Sequence, residues 1–152
     1  MRTALVHSAN WLATCFRIGY LPLAPGTWGS AAAVIAWRLL PEMELFRLSL
    51  IVIVIFLVGV IVSSIVSYEE SNKDPSRVVI DEWVGMWIAL LMIPNEWLWL
   101  GIAFILFRIF DIVKVYPANR FERLPGGWGI MMDDVVAGLY AGVITQAAAL
   151  FL

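Results

Sequence analysis

Residues Leu48 to Val66 read LSLIVIVIFLVGVIVSSIV, nineteen positions without a charge. At about 1.5 Å per residue, a helix of this run crosses most of a roughly 30 Å hydrocarbon core. The rest of the chain has the same character. Of its 152 residues 62% are hydrophobic and 14% charged, where a soluble domain carries about a quarter charged. The mean hydropathy is +0.87.

Working outward, Trp97 to Phe107 forms a second apolar stretch that continues with helical spacing through Arg108, Asp111 and Lys114 to Pro117, and Val135 to Leu152 forms a third. Ser30 to Leu40 and Trp83 to Ile93 are shorter than a full span, and are expected to extend, tilt or enter as partial helices packed against protein. Pro41, Pro94 and Pro117 punctuate the ends. Gly26, Gly29, Gly126, Gly127 and Gly129 predict loops. The expectation is an all-α polytopic membrane helical bundle of four to five membrane-embedded helices, some short or partial, in one domain over residues 1–152.

Several function classes drop out. A net charge of −2 leaves no electrostatic footprint for nucleic acid. Cys15 is the single cysteine, so neither an internal disulfide nor a structural zinc site is available. His7 is the single histidine, which excludes a phosphohistidine phosphatase with a second catalytic histidine. Cys15-Phe16-Arg17-Ile18 lacks the phosphate loop of a cysteine phosphatase, and no Asp-x-Asp-x-Thr nucleophile motif occurs. The polar stretch His7-Ser8-Ala9-Asn10 interrupts any signal-like apolar core after Arg2.

Basic residues concentrate in cytoplasmic loops. With Met1–Gly29 inside and five crossings, Arg2, Arg17, Lys73, Arg77, Arg108, Lys114, Arg120 and Arg123 lie on or near the inner side, against Arg38 and Arg47 outside, which accounts for all ten. Trp11, Trp97, Trp99 and Trp128 are candidate interfacial anchors or packing residues. The same topology brings four polar clusters to the inner boundary: Pro25-Gly26-Thr27-Trp28-Gly29-Ser30, Asp81-Glu82, Arg108-x-x-Asp111-x-x-Lys114 and Asp133-Asp134.

Ionisable groups at membrane depth cost about 2.5–3.5 kcal/mol each on insertion scales and mark function. Asp81-Glu82 and Asp133-Asp134 precede apolar helical runs, so complementing the positive helix N-terminus is one explanation for each. It fails for Asp111, which sits late on its helix. Together the carboxylates point to Mg²⁺, a hard cation that takes oxygen ligands and substrate phosphate. Arg108, Asp111 and Lys114 recur every three residues along one side of a helix, as local salt bridges or as a phosphate cradle. Thr27 is a candidate N-cap for the helix entering near Trp28, with Ser30 three positions on, and a helix N-terminus is also a phosphate site.

At these residues the chain resembles the phosphatidylglycerophosphatase A family. The matching segments are Pro25-Gly26-Thr27-x-Gly29-Ser30, Asp81-Glu82-x-x-Gly85-Met86-Trp87, Phe107-Arg108-x-x-Asp111-x-x-Lys114, and Gly126-Gly127-x-Gly129-Ile130-Met131-x-Asp133-Asp134-x-x-Ala137-Gly138, in the family's order. One departure is Lys114-Val115 where the family has Lys-Pro. The resemblance implies a Mg²⁺-dependent phosphomonoesterase of the bacterial cytoplasmic (inner) membrane, active on its inner face, that converts phosphatidylglycerol phosphate to phosphatidylglycerol and inorganic phosphate. On that basis Asp81, Glu82, Asp111, Asp133 and Asp134 form the expected catalytic and metal set. Arg108 and Lys114 are expected to hold phosphate, helped by Thr27 and Ser30. The competing reading is a small divalent-cation transporter or channel, which predicts acids along a crossing path; the outer half offers only Glu42, Glu44 and Glu96. The sequence leaves the oligomeric state and the number of metals open.

Overall fold

The structure is a computed structural model that describes residues 2–121 and 123–151. Met1, Leu152 and the side chain of Arg2, which the readings above include, lie outside the described residues. Seven α-helices and a short 3₁₀ turn (Ile18–Tyr20) account for the ordered backbone, and no strand occurs among the described residues. The helices are α1 (Arg2–Ala13), α2 (Pro25–Leu39), α3 (Leu45–Glu70), α4 (Ile80–Leu90), α5 (Trp97–Val113), α6 (Ala118–Phe121) and α7 (Gly127–Phe151).

The uncharged run becomes α3, extended to 26 residues and stopped by Ser71 in the left-handed conformation. Its most apolar window is only one-third buried. Leu50, Ile53, Val54, Leu57, Val58 and Ile61 project from it unburied, a run of exposed apolar side chains of the kind that marks a membrane or partner surface. α7 is the other helix long and apolar enough to cross a membrane. α2, α4 and α5, at 15, 11 and 17 residues, are shorter.

α4 is the hub. It packs against α2, α3, α5 and α7, and eight of its eleven residues are buried: Ile80, Asp81, Val84, Gly85, Met86, Trp87, Ala89 and Leu90. Its crossing with α7 depends on small residues, as in close helix pairs generally. A β-carbon at Gly138 would collide with the Gly85 carbonyl, and one at Gly85 would lie 2.6 Å from both the Asp134 carbonyl oxygen and the Phe107 ring. The Trp87 indole donates to the Ala33 carbonyl at 2.9 Å, locking α4 to α2.

The N-terminal segment forms α1, whose buried face is Ala9 and Ala13, four residues apart, with small side chains that permit close packing on α3. The glycine reading needs correction: Gly26, Gly29, Gly127 and Gly129 are helical instead of marking loops, and at the first three a β-carbon would collide with a neighbour, so they supply close approach and not a turn. Trp99 is buried and packs in the core, whereas Trp11, Trp97 and Trp128 are exposed. The turns after α2 and α4 meet at one end, where Leu40, Pro41, Met43, Leu48, Leu91 and Asn95 line a common cleft. The polar clusters gather toward the other end.

Candidate active site

Four helices deliver the site. Asp81 and Glu82 occupy the first turn of α4, where the helix end favours negative charge. Asp133 and Asp134 are not at a helix start, as the sequence suggested: α7 begins at Gly127, so the pair lies about two turns inside and the dipole does little to explain it. Arg108 and Asp111 come from the last two turns of α5, which ends at Val113 and not at Pro117. Lys114 adopts a left-handed conformation (φ 50°) as the C-cap. The expected stripe of three charges is therefore broken at its third member.

The charges sort themselves by partner. Arg108 Nη1 lies 2.7 Å from Asp111 Oδ2 and 3.8 Å from Glu82 Oε1. It also donates to Ser30 Oγ at 3.4 Å, and Ser30 Oγ donates back to the Gly26 carbonyl at 2.8 Å. Lys114 Nζ donates to Asp133 Oδ2 at 3.0 Å. Thr27 is the third residue of α2 and not its cap; Ala24 holds that position, without a side-chain bond, because Pro25 opens the helix. The hydrogen bond from Arg108 to α2 goes to Ser30. Gly26 allows that approach: a β-carbon there would collide with Glu82 Oε1 and sit 3.1 Å from Arg108 Nη1.

Asp81, Glu82 and Asp134 each present a carboxylate oxygen, and these oxygens lie within 4.8 Å of one another. Asp81 and Asp134 are buried. Five expected acids thus resolve into a cluster of three and two carboxylates, Asp111 and Asp133, each paired with a cation.

Unmet hydrogen-bonding capacity shows what the cluster can accommodate. Asp81 Oδ1, Glu82 Oε2, Asp133 Oδ1 and Asp134 Oδ2 are buried acceptors without a partner, and Arg108 Nε is a buried donor without one. Leaving such groups unsatisfied costs about 1–3 kcal/mol each, more when charged. The acceptors require a cation or protons; the guanidinium requires an anion. A hard metal ion with a phosphate satisfies both, and three carboxylates with free oxygens fit such an ion.

Cys15 lies nearby but is unsuited to nucleophilic work. Burial, then the charges of Asp81 and Glu82, push its thiol above the ordinary range, so the thiolate is suppressed.

The matching family model is that of phosphatidylglycerophosphatase A, over residues 11–149. The chain belongs to the phosphatidylglycerophosphatase A family. The match contains every residue of the cluster and its partners, and leaves out α1 as far as Asn10. Two relatives carry the family's name: one from Escherichia coli (strain K12), 39% identical over 94% of this chain and 86% of its own length, and one from Haemophilus influenzae, 38% identical over 96% and 91%. A third, from Bacteroides thetaiotaomicron, is 42% identical over 90% and 91%, and bears the provisional name phosphatidylinositol-3-phosphatase. No solved structure gives a significant match. Membership in the phosphatidylglycerophosphatase A family makes this chain a lipid phosphatase.

Sequence motifs had located the charged residues but not what supports them. The Gly85–Gly138 crossing was present only as motif glycines. The hydrogen bond from Val79 N–H to the Ala13 carbonyl, 2.9 Å, links α1 to the acid-bearing turn across 66 residues of chain; only the Ala9/Ala13 spacing hinted at that docking.

Proposed function

We propose that this protein hydrolyses the terminal phosphomonoester of phosphatidylglycerol phosphate, giving phosphatidylglycerol and inorganic phosphate, with Mg²⁺ as cofactor. The observation that carries the reading is the pairing of unmet demands: three clustered carboxylates with free oxygens beside an Arg108 guanidinium whose Nε lacks an acceptor. Asp81, Glu82 and Asp134 would hold the ion, which supplies Lewis-acid polarisation of the phosphoryl group and a water made acidic enough to react near neutral pH.

Arg108 binds the phosphate through Nε while Asp111 and Ser30 fix its Nη1. Lys114 holds Asp133 in place and adds positive charge at the rim, and the first turn of α2, with Thr27 and Ser30, closes the opposite wall. Water adds to phosphorus, the bond from phosphorus to the glycerol oxygen breaks, the proton lost by water passes to a carboxylate of the cluster, and the leaving oxygen takes up a proton.

The chain acts as a single multi-pass domain over residues 1–152 in the bacterial cytoplasmic membrane. α3 and α7 cross it fully, and α2, α4 and α5 are embedded as shorter helices against them, five embedded helices in all. Gly59 of α3 abuts Ile80 and Met131, seven residues before the apolar run ends at Val66. The cluster therefore lies about 10 Å below the inner end of that run, within reach of a lipid head group that dips below the cytoplasmic surface.

The test is phosphate release by purified protein in detergent micelles, with Mg²⁺ or chelator, for wild type, Asp81→Asn and Asp134→Asn. Metal-dependent release lost in both variants is the expected result. Faster release from phosphatidylinositol 3-phosphate than from phosphatidylglycerol phosphate would reassign the substrate. Divalent-cation flux in liposomes without phosphate release would replace the enzyme reading with the transporter one.

A further inference from the structure

We propose that the groove between α1 and the α3–α4 pair holds one fatty acyl chain of the phospholipid whose head group sits at the Arg108–carboxylate site. This inference rests on the phosphatase reading.

The groove encloses about 280 Å³, and Leu12, Cys15, Phe16, Val58, Trp83 and Trp87 are among its lining residues. None of them is charged. The Trp87 N–H is consumed by Ala33, so that indole turns carbon to the groove. Val54, also in the lining, is exposed on the α3 face that we assign to lipid, which gives a chain a lateral entry.

The groove is joined to the charged site by backbone. Ile80 and Trp83, two of its walls, bracket Asp81 and Glu82. The Val79 N–H bond to Ala13 pins the end of α1 onto the same turn. On the other side of that turn, a β-carbon at Gly29 would lie 2.8 Å from Val79 Cβ, so α2, which carries Ser30 and Gly26, presses on it too. The roof is held by Cys15, Phe16 and Arg17, three successive non-glycine residues with positive φ (44°, 57° and 75°). Such conformations are disfavoured for side-chain-bearing residues and persist where surrounding structure fixes them. Here they turn Cys15 inward and set the Phe16 ring edge-on to Trp11 at 5.6 Å.

A second apolar groove, between α3, α4 and α7 and lined by Phe56, Leu91 and Leu139 among others, is the competing seat, since Met132 and Val135 in its wall bracket Asp133 and Asp134. Among the described residues no backbone bond comparable to that between Val79 and Ala13 joins its walls.

The experiment compares wild type, Val58→Trp and Leu139→Trp on dioleoyl phosphatidylglycerol phosphate and on its deacylated, water-soluble analogue. Filling the first groove is expected to lower kcat/KM for the diacyl lipid, relative to the analogue, by about tenfold or more, the scale of a lost pocket contact; Leu139→Trp is expected to keep the wild-type ratio. Equal ratios in the two variants would overturn the proposal while leaving the phosphatase intact. An inactive wild type would instead sink the function on which it rests. A substrate carrying a diazirine in mid-chain gives a readout independent of turnover. Adducts on Cys15–Phe16 or Val54–Val58 that unlabelled substrate competes away support the groove, and adducts elsewhere, or ones that resist competition, refute it.

Discussion

α3 and α4 are neighbours in sequence and in space, yet they are stabilised by different surroundings. α3 is 26 residues long, uncharged through its centre and largely exposed along its apolar face; its requirement is an apolar solvent. α4 has 11 residues, opens with two carboxylates and packs against four other helices. Neighbouring helices enclose what a bilayer would penalise, the acid-bearing first turn and the tight glycine crossing. The long helix is one that a bilayer can stabilise, and the short one keeps its carboxylates because protein encloses it.

The sharpest way to test that contrast is chemical. Asp134→Asn, which leaves shape unchanged but removes a charge from the three-carboxylate cluster, is expected to cut kcat at least about 100-fold in a phosphate-release assay, the order of effect of disturbing metal ligation. Removing divalent cations with a chelator is expected to do the same to wild type, with activity restored by Mg²⁺.

Next comes packing. Gly85→Val forces atoms into the Asp134 carbonyl and the Phe107 ring, and is expected to cost about 3 kcal/mol or more, at the upper end of overpacking effects, read as a lowered thermal midpoint in detergent. Leu57→Ala on the exposed face of α3 is expected to change stability by no more than about 0.5 kcal/mol in the same assay. If the two shift the midpoint equally, the division between lipid-supported and protein-supported helices fails.

Between these lies the rim. Lys114→Met leaves Asp133 without its partner and is expected to destabilise by about 1–3 kcal/mol, with a smaller loss of activity than Asp134→Asn. An equal loss would place Asp133 in the metal set and not among the paired acids. The smallest effect concerns topology: reporters inserted after Pro41 and after Asn95 should both read as external without abolishing activity, and a cytoplasmic reading for either would break the alternation on which the α3–α4 comparison depends.

The sequence by itself determined the all-helical character, the long α3 and the family, because hydrophobic run length and motif spacing are local properties read along the chain. It placed Asp81 and Glu82 correctly in a first turn. It misread Gly127 and Gly129 as loop and so put Asp133 and Asp134 at a helix start, since a glycine serving close approach looks the same in one dimension as a glycine serving a turn.

That three of the five acids, Asp81, Glu82 and Asp134, cluster while Asp111 and Asp133 lie against Arg108 and Lys114 was decided only in three dimensions. Asp133 and Asp134 are adjacent in sequence, but a rotation of about 100° between successive helix positions turns one to Lys114 and the other toward Asp81 and Glu82. The same holds for α1: the Ala9/Ala13 spacing marks a face that can pack closely, but that Ala13 bonds to Val79 depends on where α3 and α4 carry the chain in the intervening residues.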